Sequence, residues 1–194
     1  MKRNCVDRLP EGYRETMIVD AKSTRFIIIM NLAALFLLAA VIVPAVLIIR
    51  PADFLEEYSQ IRNLVLIAAM FLYIVLHELV HGLAYKLLTK QKLTFGITLT
   101  VAYCGVPNVY VYRKAAMIAL LAPFLVFLPV FTVPIFLFEN AWDKLYCAIL
   151  LGLHISGCVG DLYDTMLYLF RFRSPDTLMR DTGPKQTFYE KTTP

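Results

Sequence analysis

Four long apolar runs alternate with short polar segments along the 194-residue chain. They cover residues 26–49, 63–88, 115–138 and 145–170, and each reaches the ~20 residues that an α-helix needs to cross the hydrocarbon of a bilayer. The first and third runs are uncharged. The second carries His77, Glu78 and His81, and the fourth carries His154, Asp161 and Asp164. Ionisable groups are costly in lipid, so these two spans are where function is expected. Residues 93–101 break the helical rhythm, because Leu93-Thr94-Phe95-Gly96-Ile97-Thr98 alternates and is β-branched. Cys104 to Asn108 reads as a turn and residues 109–112 as a return strand, which predicts a β-hairpin over 92–113. The tail from 171 to 194 reads as polar and extended, with room for disorder. Pro123, Pro129 and Pro134 in the third span predict bends, either opening a lateral gate or absorbed by packing. The expected fold is therefore an all-α integral membrane protein, a single membrane domain of about four transmembrane helices with a small β-hairpin between the second and third.

Composition sharpens this picture. Hydrophobic residues make up 59% of the chain and charged residues 18%, against about half and a quarter in soluble domains. The net charge of +4 does not point to nucleic acid, because the basic residues sit in short segments between apolar runs. Sixteen of the nineteen Lys and Arg lie before the first run, around the link from the second to the third, or after the fourth. Basic residues favour the cytoplasmic face, so both termini and the predicted hairpin are expected there. About 25 polar residues precede the first run, which does not fit a cleavable signal peptide. Cys5, Cys104, Cys147 and Cys158 form no CxxC pair, so neither a disulfide framework nor a thiolate zinc site is indicated.

The candidate chemistry is His77-Glu78-Leu79-Val80-His81. Two histidines four residues apart stand on one helix face and can reach one zinc ion. Glu78, beside them, can act as general base on a zinc-bound water. With three histidines and seven glutamates in the whole chain, a chance HExxH is improbable. Zinc needs a third protein ligand, and the fourth span offers three candidates. At ~1.5 Å per residue Asp161 falls between His77 and His81 in depth, so it ranks first. Asp164, one turn deeper, ranks second, and its bland reading is an interfacial acid. His154 ranks third, with a supporting or packing role favoured over ligation. Gly157 and Gly160, in the run that leads to Asp161, read as small residues permitting close helix approach. Asn108 is a candidate substrate contact, although an asparagine after a proline in a turn is more often a turn residue.

An HExxH inside a transmembrane helix, followed by an aspartate on a later helix, resembles the site-2 protease class of intramembrane zinc metalloproteases. The chain is more similar to a family of small bacterial membrane proteins described as putative zincin peptidases. The resemblance runs from about Leu72 to Thr165. It is carried by His77-Glu78-Leu79-Val80-His81-Gly82, then Ala102-Tyr103-Cys104, Leu121-Ala122-Pro123-Phe124 and Gly157 to Asp161. It implies zinc held by His77, His81 and Asp161, with Glu78 as catalytic base, in a bacterial cell membrane. Site-2 proteases carry a leucine-aspartate-glycine run at the third ligand, whereas Asp161 here is followed by Leu162-Tyr163.

The leading expectation is hydrolysis of a peptide bond in a membrane-protein or peptide substrate. The hairpin would add the substrate as an extra strand. The alternative is a non-proteolytic membrane protein that binds a metal or a partner helix. A transporter would want polar groups along a path, and spans one and three offer almost none. A membrane metalloprotease cutting soluble chains would usually place its motif beside a soluble domain.

Overall fold

The computed structural model describes residues 4–49, 60–97 and 102–192. The first apolar run is α1 (Thr24–Ile48) and the second α2 (Gln60–Thr89). The third is α3 (Arg113–Leu137), and the fourth is split into α4 (Ala141–Gly157) and α5 (Val159–Phe170). α1, α2 and α3 are each long and apolar enough to cross a membrane, and α4 with α5 pass that test together as a bent pair. Three or four spans are thus compatible with a membrane protein. No side chain of α1 is buried, and Phe36 and Leu47 on it are 72% and 75% exposed. Side chains of this kind suit lipid rather than water. α3 runs unbroken through Pro123, Pro129 and Pro134.

Helices account for 62% of the described residues and sheet for 18%, so the all-α expectation needs correction. A five-stranded antiparallel sheet runs in the order β1 (Cys5–Val6), β5 (Tyr110–Tyr112), β6 (Leu178–Asp181), β7 (Lys185–Lys191) and β2 (Tyr13–Asp20). Its strands come from the N-terminal segment, the link before α3 and the C-terminal tail. The tail is therefore ordered strand, not loose chain. The predicted hairpin also differs. β3 (Thr94–Ile97) pairs with β4 (Ala102–Gly105), so Cys104 and Gly105 belong to the return strand rather than to a turn. The residues 109–112 foreseen as that strand instead contribute β5 to the larger sheet. A pattern of alternation marks strands but not their partners. The predicted turn from Cys104 survives only as 106–109, and the link 98–101 lies outside the described residues.

Two compact units divide the chain, 1–28, 76–123 and 161–194 against 29–75 and 124–160. In the first, one sheet face is buried. Cys5, Val111, Met179, Phe188 and Met17 are register partners across the five strands. Val111, Met179 and Phe188 are fully buried, together with Tyr85 of α2, Ala116 and Ala119 of α3, and Tyr168 of α5. Phe172 stacks on Phe188 with ring centroids 4.6 Å apart. The same unit caps the end of α2. Lys90 takes a left-handed φ of 58°, and Asn4 Nδ2 donates to the Leu88 carbonyl at 3.0 Å. A helix end has orphan carbonyls that need such donors.

In the second unit, Asn140 caps α4 by accepting from the Trp142 and Asp143 backbone N–H groups. Arg62 pairs with Asp143 at 3.4 Å, and Tyr146 donates to Asn63 Oδ1 at 2.6 Å. Gly152 lets Leu38 and Ile42 of α1 come within contact of α4. A Cβ at Gly160 would meet nothing within 4 Å, and one at Gly157 only the Tyr73 hydroxyl at 3.8 Å. The close-approach reading of these two glycines is therefore corrected. Their low helix propensity instead suits the break at Cys158.

Candidate metal centre

His77 and His81 lie on successive turns of α2, both buried, with ring centroids 4.9 Å apart. The break before α5 puts Asp161 in that helix's first turn. Asp161 Oδ2 lies 3.4 Å from His77 Nε2 and 3.3 Å from His81 Nε2. One donor atom from each residue falls within 4.8 Å of the others. A charge-assisted hydrogen bond between such groups would be about 2.7–2.9 Å. A tetrahedral zinc ion with bonds of about 2.0–2.1 Å spaces neighbouring donors about 3.3–3.4 Å apart. The observed separations match the second case, and two imidazoles with a carboxylate are a zinc-type donor set, so these residues fit the ion.

The orientation of His81 has a visible cause. Its Nδ1 lies 2.9 Å from the Ala119 carbonyl of α3. A carbonyl can only accept, so Nδ1 carries the proton and Nε2 keeps the lone pair that a metal needs. Glu78 follows His77 directly and is half-buried. The backbone N–H of Cys104 on β4 lies beside its carboxylate. β4 thus runs beside the glutamate. Gly82, the residue after the motif, keeps α2 close to β3, because a Cβ there would stand 2.6 Å from the Phe95 ring.

The other predicted residues are not members of the set of His77, His81 and Asp161. Asp164 is buried, and its Oδ1 has no hydrogen-bond partner among the described residues. It does not belong to the converging set of His77, His81 and Asp161. His154 is fully buried in the second unit. Its Nδ1 meets the Tyr73 hydroxyl at 2.9 Å and its Nε2 the Phe124 carbonyl at 3.2 Å. Asn108 sits exposed in the turn between β4 and β5.

Sequence reasoning missed the Ala119 carbonyl, the Cys104 N–H and a buried pair further along α2. Tyr85, one turn past His81, donates its hydroxyl to Asp181 Oδ2 of β6 at 2.6 Å, and the Gly183 N–H donates to Oδ1 at 2.8 Å. Burial pushes the Asp181 carboxyl up to about 6, although the Tyr85 and Gly183 donors pull the other way. Burial likewise pushes the Cys104 thiol up to about 12. The four-residue step from His81 to Tyr85 was visible in the sequence. The backbone partners and Asp181 carried no signal, because main-chain groups and distant strands leave no local motif.

No curated protein and no solved structure matches the chain. The model of one protein family covers residues 70–175, more than half of the chain and the whole of the histidine, glutamate and aspartate set. With that match and the zinc-type donor geometry together, the chain belongs to the family described as "Putative zincin peptidase".

Proposed function

We propose that this chain is an intramembrane zinc metallopeptidase, akin to the site-2 proteases, which hydrolyses a peptide bond of a membrane-associated substrate. His77, His81 and Asp161 hold the zinc, and Glu78 is the catalytic base. The reading is carried by one observation, the convergence of the three donor atoms beside Glu78. When bound, the ion supplies a Lewis acid that polarises a carbonyl and acidifies water. Glu78 takes the proton of the attacking water and delivers it to the leaving amine, so the carboxylate ends each cycle as it began. His81 is held in one tautomer by Ala119.

Membership in a zincin peptidase family supports a metallopeptidase and the metal zinc. The apolar helices that carry the site support an intramembrane location. The arrangement of β4 beside Glu78 supports a substrate bound in extended form, its backbone paired to the β3–β4 ladder. A transmembrane helix must unwind locally to bind this way, since its own carbonyls are engaged. Asn108 would serve such a substrate only from the exposed turn. Both termini belong on the cytoplasmic side by the distribution of Lys and Arg. The pairing of β2 with β7 agrees with their sharing one face.

Zinc content of the detergent-purified protein tests the reading. About one zinc per chain is expected in wild type and in Glu78→Gln, and near none in His77→Ala and Asp161→Ala. Glu78→Gln should retain metal but lose cleavage of membrane-peptide substrates. No zinc in wild type, even after reconstitution, would refute the proposal in favour of a non-proteolytic membrane protein.

A further inference from the structure

α3 carries its first internal proline, Pro123, four residues after Ala119. In an α-helix the N–H of residue i bonds the carbonyl of residue i−4. Proline has no N–H, and its ring presses on that same carbonyl. Pro123 therefore removes the ordinary partner of the Ala119 carbonyl. That carbonyl is the one that accepts from His81 Nδ1 at 2.9 Å. Ala119 is fully buried, and Pro123 is among the most deeply buried side chains. A freed carbonyl at such a place needs another donor, because no water or lipid supplies one. The donor here is the histidine.

We infer that Pro123 is a positioning residue for the metal centre, freeing the Ala119 carbonyl to orient His81. The proline acts through the backbone of α3 and touches neither metal nor substrate. The inference rests on the reading of His77, His81 and Asp161 as the metal-binding set. Pro129 and Pro134 lie on the same helix and free the carbonyls of Leu125 and Val130 instead. They separate a specific effect of Pro123 from a general effect of proline on α3.

The test compares Pro123→Ala and Pro123→Leu with Pro129→Ala and Pro134→Ala in the full chain. Alanine and leucine both restore the N–H that competes for the Ala119 carbonyl, and leucine also keeps the space filled. Zinc affinity is measured by chelator competition, and the visible spectrum of the cobalt-substituted protein reads the ligand geometry. Thermal unfolding of the metal-free protein reads the fold. Both Pro123 variants are expected to bind zinc about 10–100-fold more weakly with an altered cobalt spectrum, as for the loss of a hydrogen bond behind a histidine ligand. Their metal-free unfolding should be unchanged or raised, because proline is the poorest helix former. Such a split between affinity and stability is not what a merely structural proline would give. Pro129→Ala and Pro134→Ala should keep wild-type affinity. Wild-type affinity and spectrum in both Pro123 variants would overturn the inference alone. Equal losses in all four variants would overturn it in favour of a general bend. A wild-type chain that takes up neither zinc nor cobalt would overturn the metal centre and this inference together.

Discussion

Gly105 is the residue at which β4 meets the turn between β6 and β7. It ends β4, one residue after the Cys104 N–H that lies beside Glu78. A Cβ built there would press on the backbone nitrogen of Gly183, with the Thr182 carbonyl carbon at 2.9 Å and the Asp181 oxygen at 3.0 Å. All three neighbours are backbone, so no side-chain rotation relieves the clash. The next residue, Val106, donates its N–H to the Asp181 carbonyl at 2.9 Å, and the same displacement would break that bond. Overpacking of this kind costs about 1–3 kcal/mol, and a lost backbone hydrogen bond adds about 1 kcal/mol. Gly105→Ala should therefore destabilise by about 2–4 kcal/mol, which for a chain of this size lowers the unfolding midpoint by on the order of 10 °C. Unfolding can be followed in detergent with a thiol-reactive fluorophore, since Cys104 and Cys158 are buried and react only as the structure opens. Gly160→Ala is the control. It has open space around it and should be neutral or slightly stabilising. A Gly105→Ala midpoint equal to that of Gly160→Ala would refute the steric argument. In cleavage assays, Gly105→Ala should also lower turnover by moving the Cys104 N–H away from Glu78.

Two further outcomes follow from the buried groups. The Asp181 carboxyl is raised to about 6 from 3.8, so its protonation favours the folded state. Its contribution is fully present below pH ~4 and is lost as pH rises through about 6, a loss on the order of 3 kcal/mol. Metal-free wild type should thus lose stability relative to Asp181→Asn across that window, and parallel pH profiles for the two would refute the assignment. With its thiol pushed up to about 12 and the side chain buried, Cys104 should resist iodoacetamide at pH 8 until the protein unfolds. Peptide mapping that finds Cys104 alkylated in the native state as readily as half-buried Cys5 would contradict this burial.

The long apolar runs were legible because a helix in lipid must satisfy its backbone internally and show the bilayer apolar side chains. The first three apolar runs accordingly coincide with the helices α1, α2 and α3 to within a few residues. His77 and His81 were legible because one helical turn brings them to one face, with Glu78 beside them. Asp161 could be ranked by depth alone, but its depth was counted along a straight helix that in fact breaks at Cys158. Its approach to both histidines is a tertiary result, as are the burial of Asp164 and the engagement of His154 by Tyr73 and Phe124.

The sequence by itself determined the apolar helices, the histidine pair with its neighbouring glutamate and the zincin resemblance, because these follow from local composition and from spacing along a helix. Only the tertiary structure decided the rest. Strand pairing joins residues far apart in the chain, so the sheet that unites Cys5, Val111, Met179, Phe188 and Met17 has no local signature. The carbonyl that orients His81 belongs to another helix, and it is available because of a proline whose meaning depends on which carbonyl it frees.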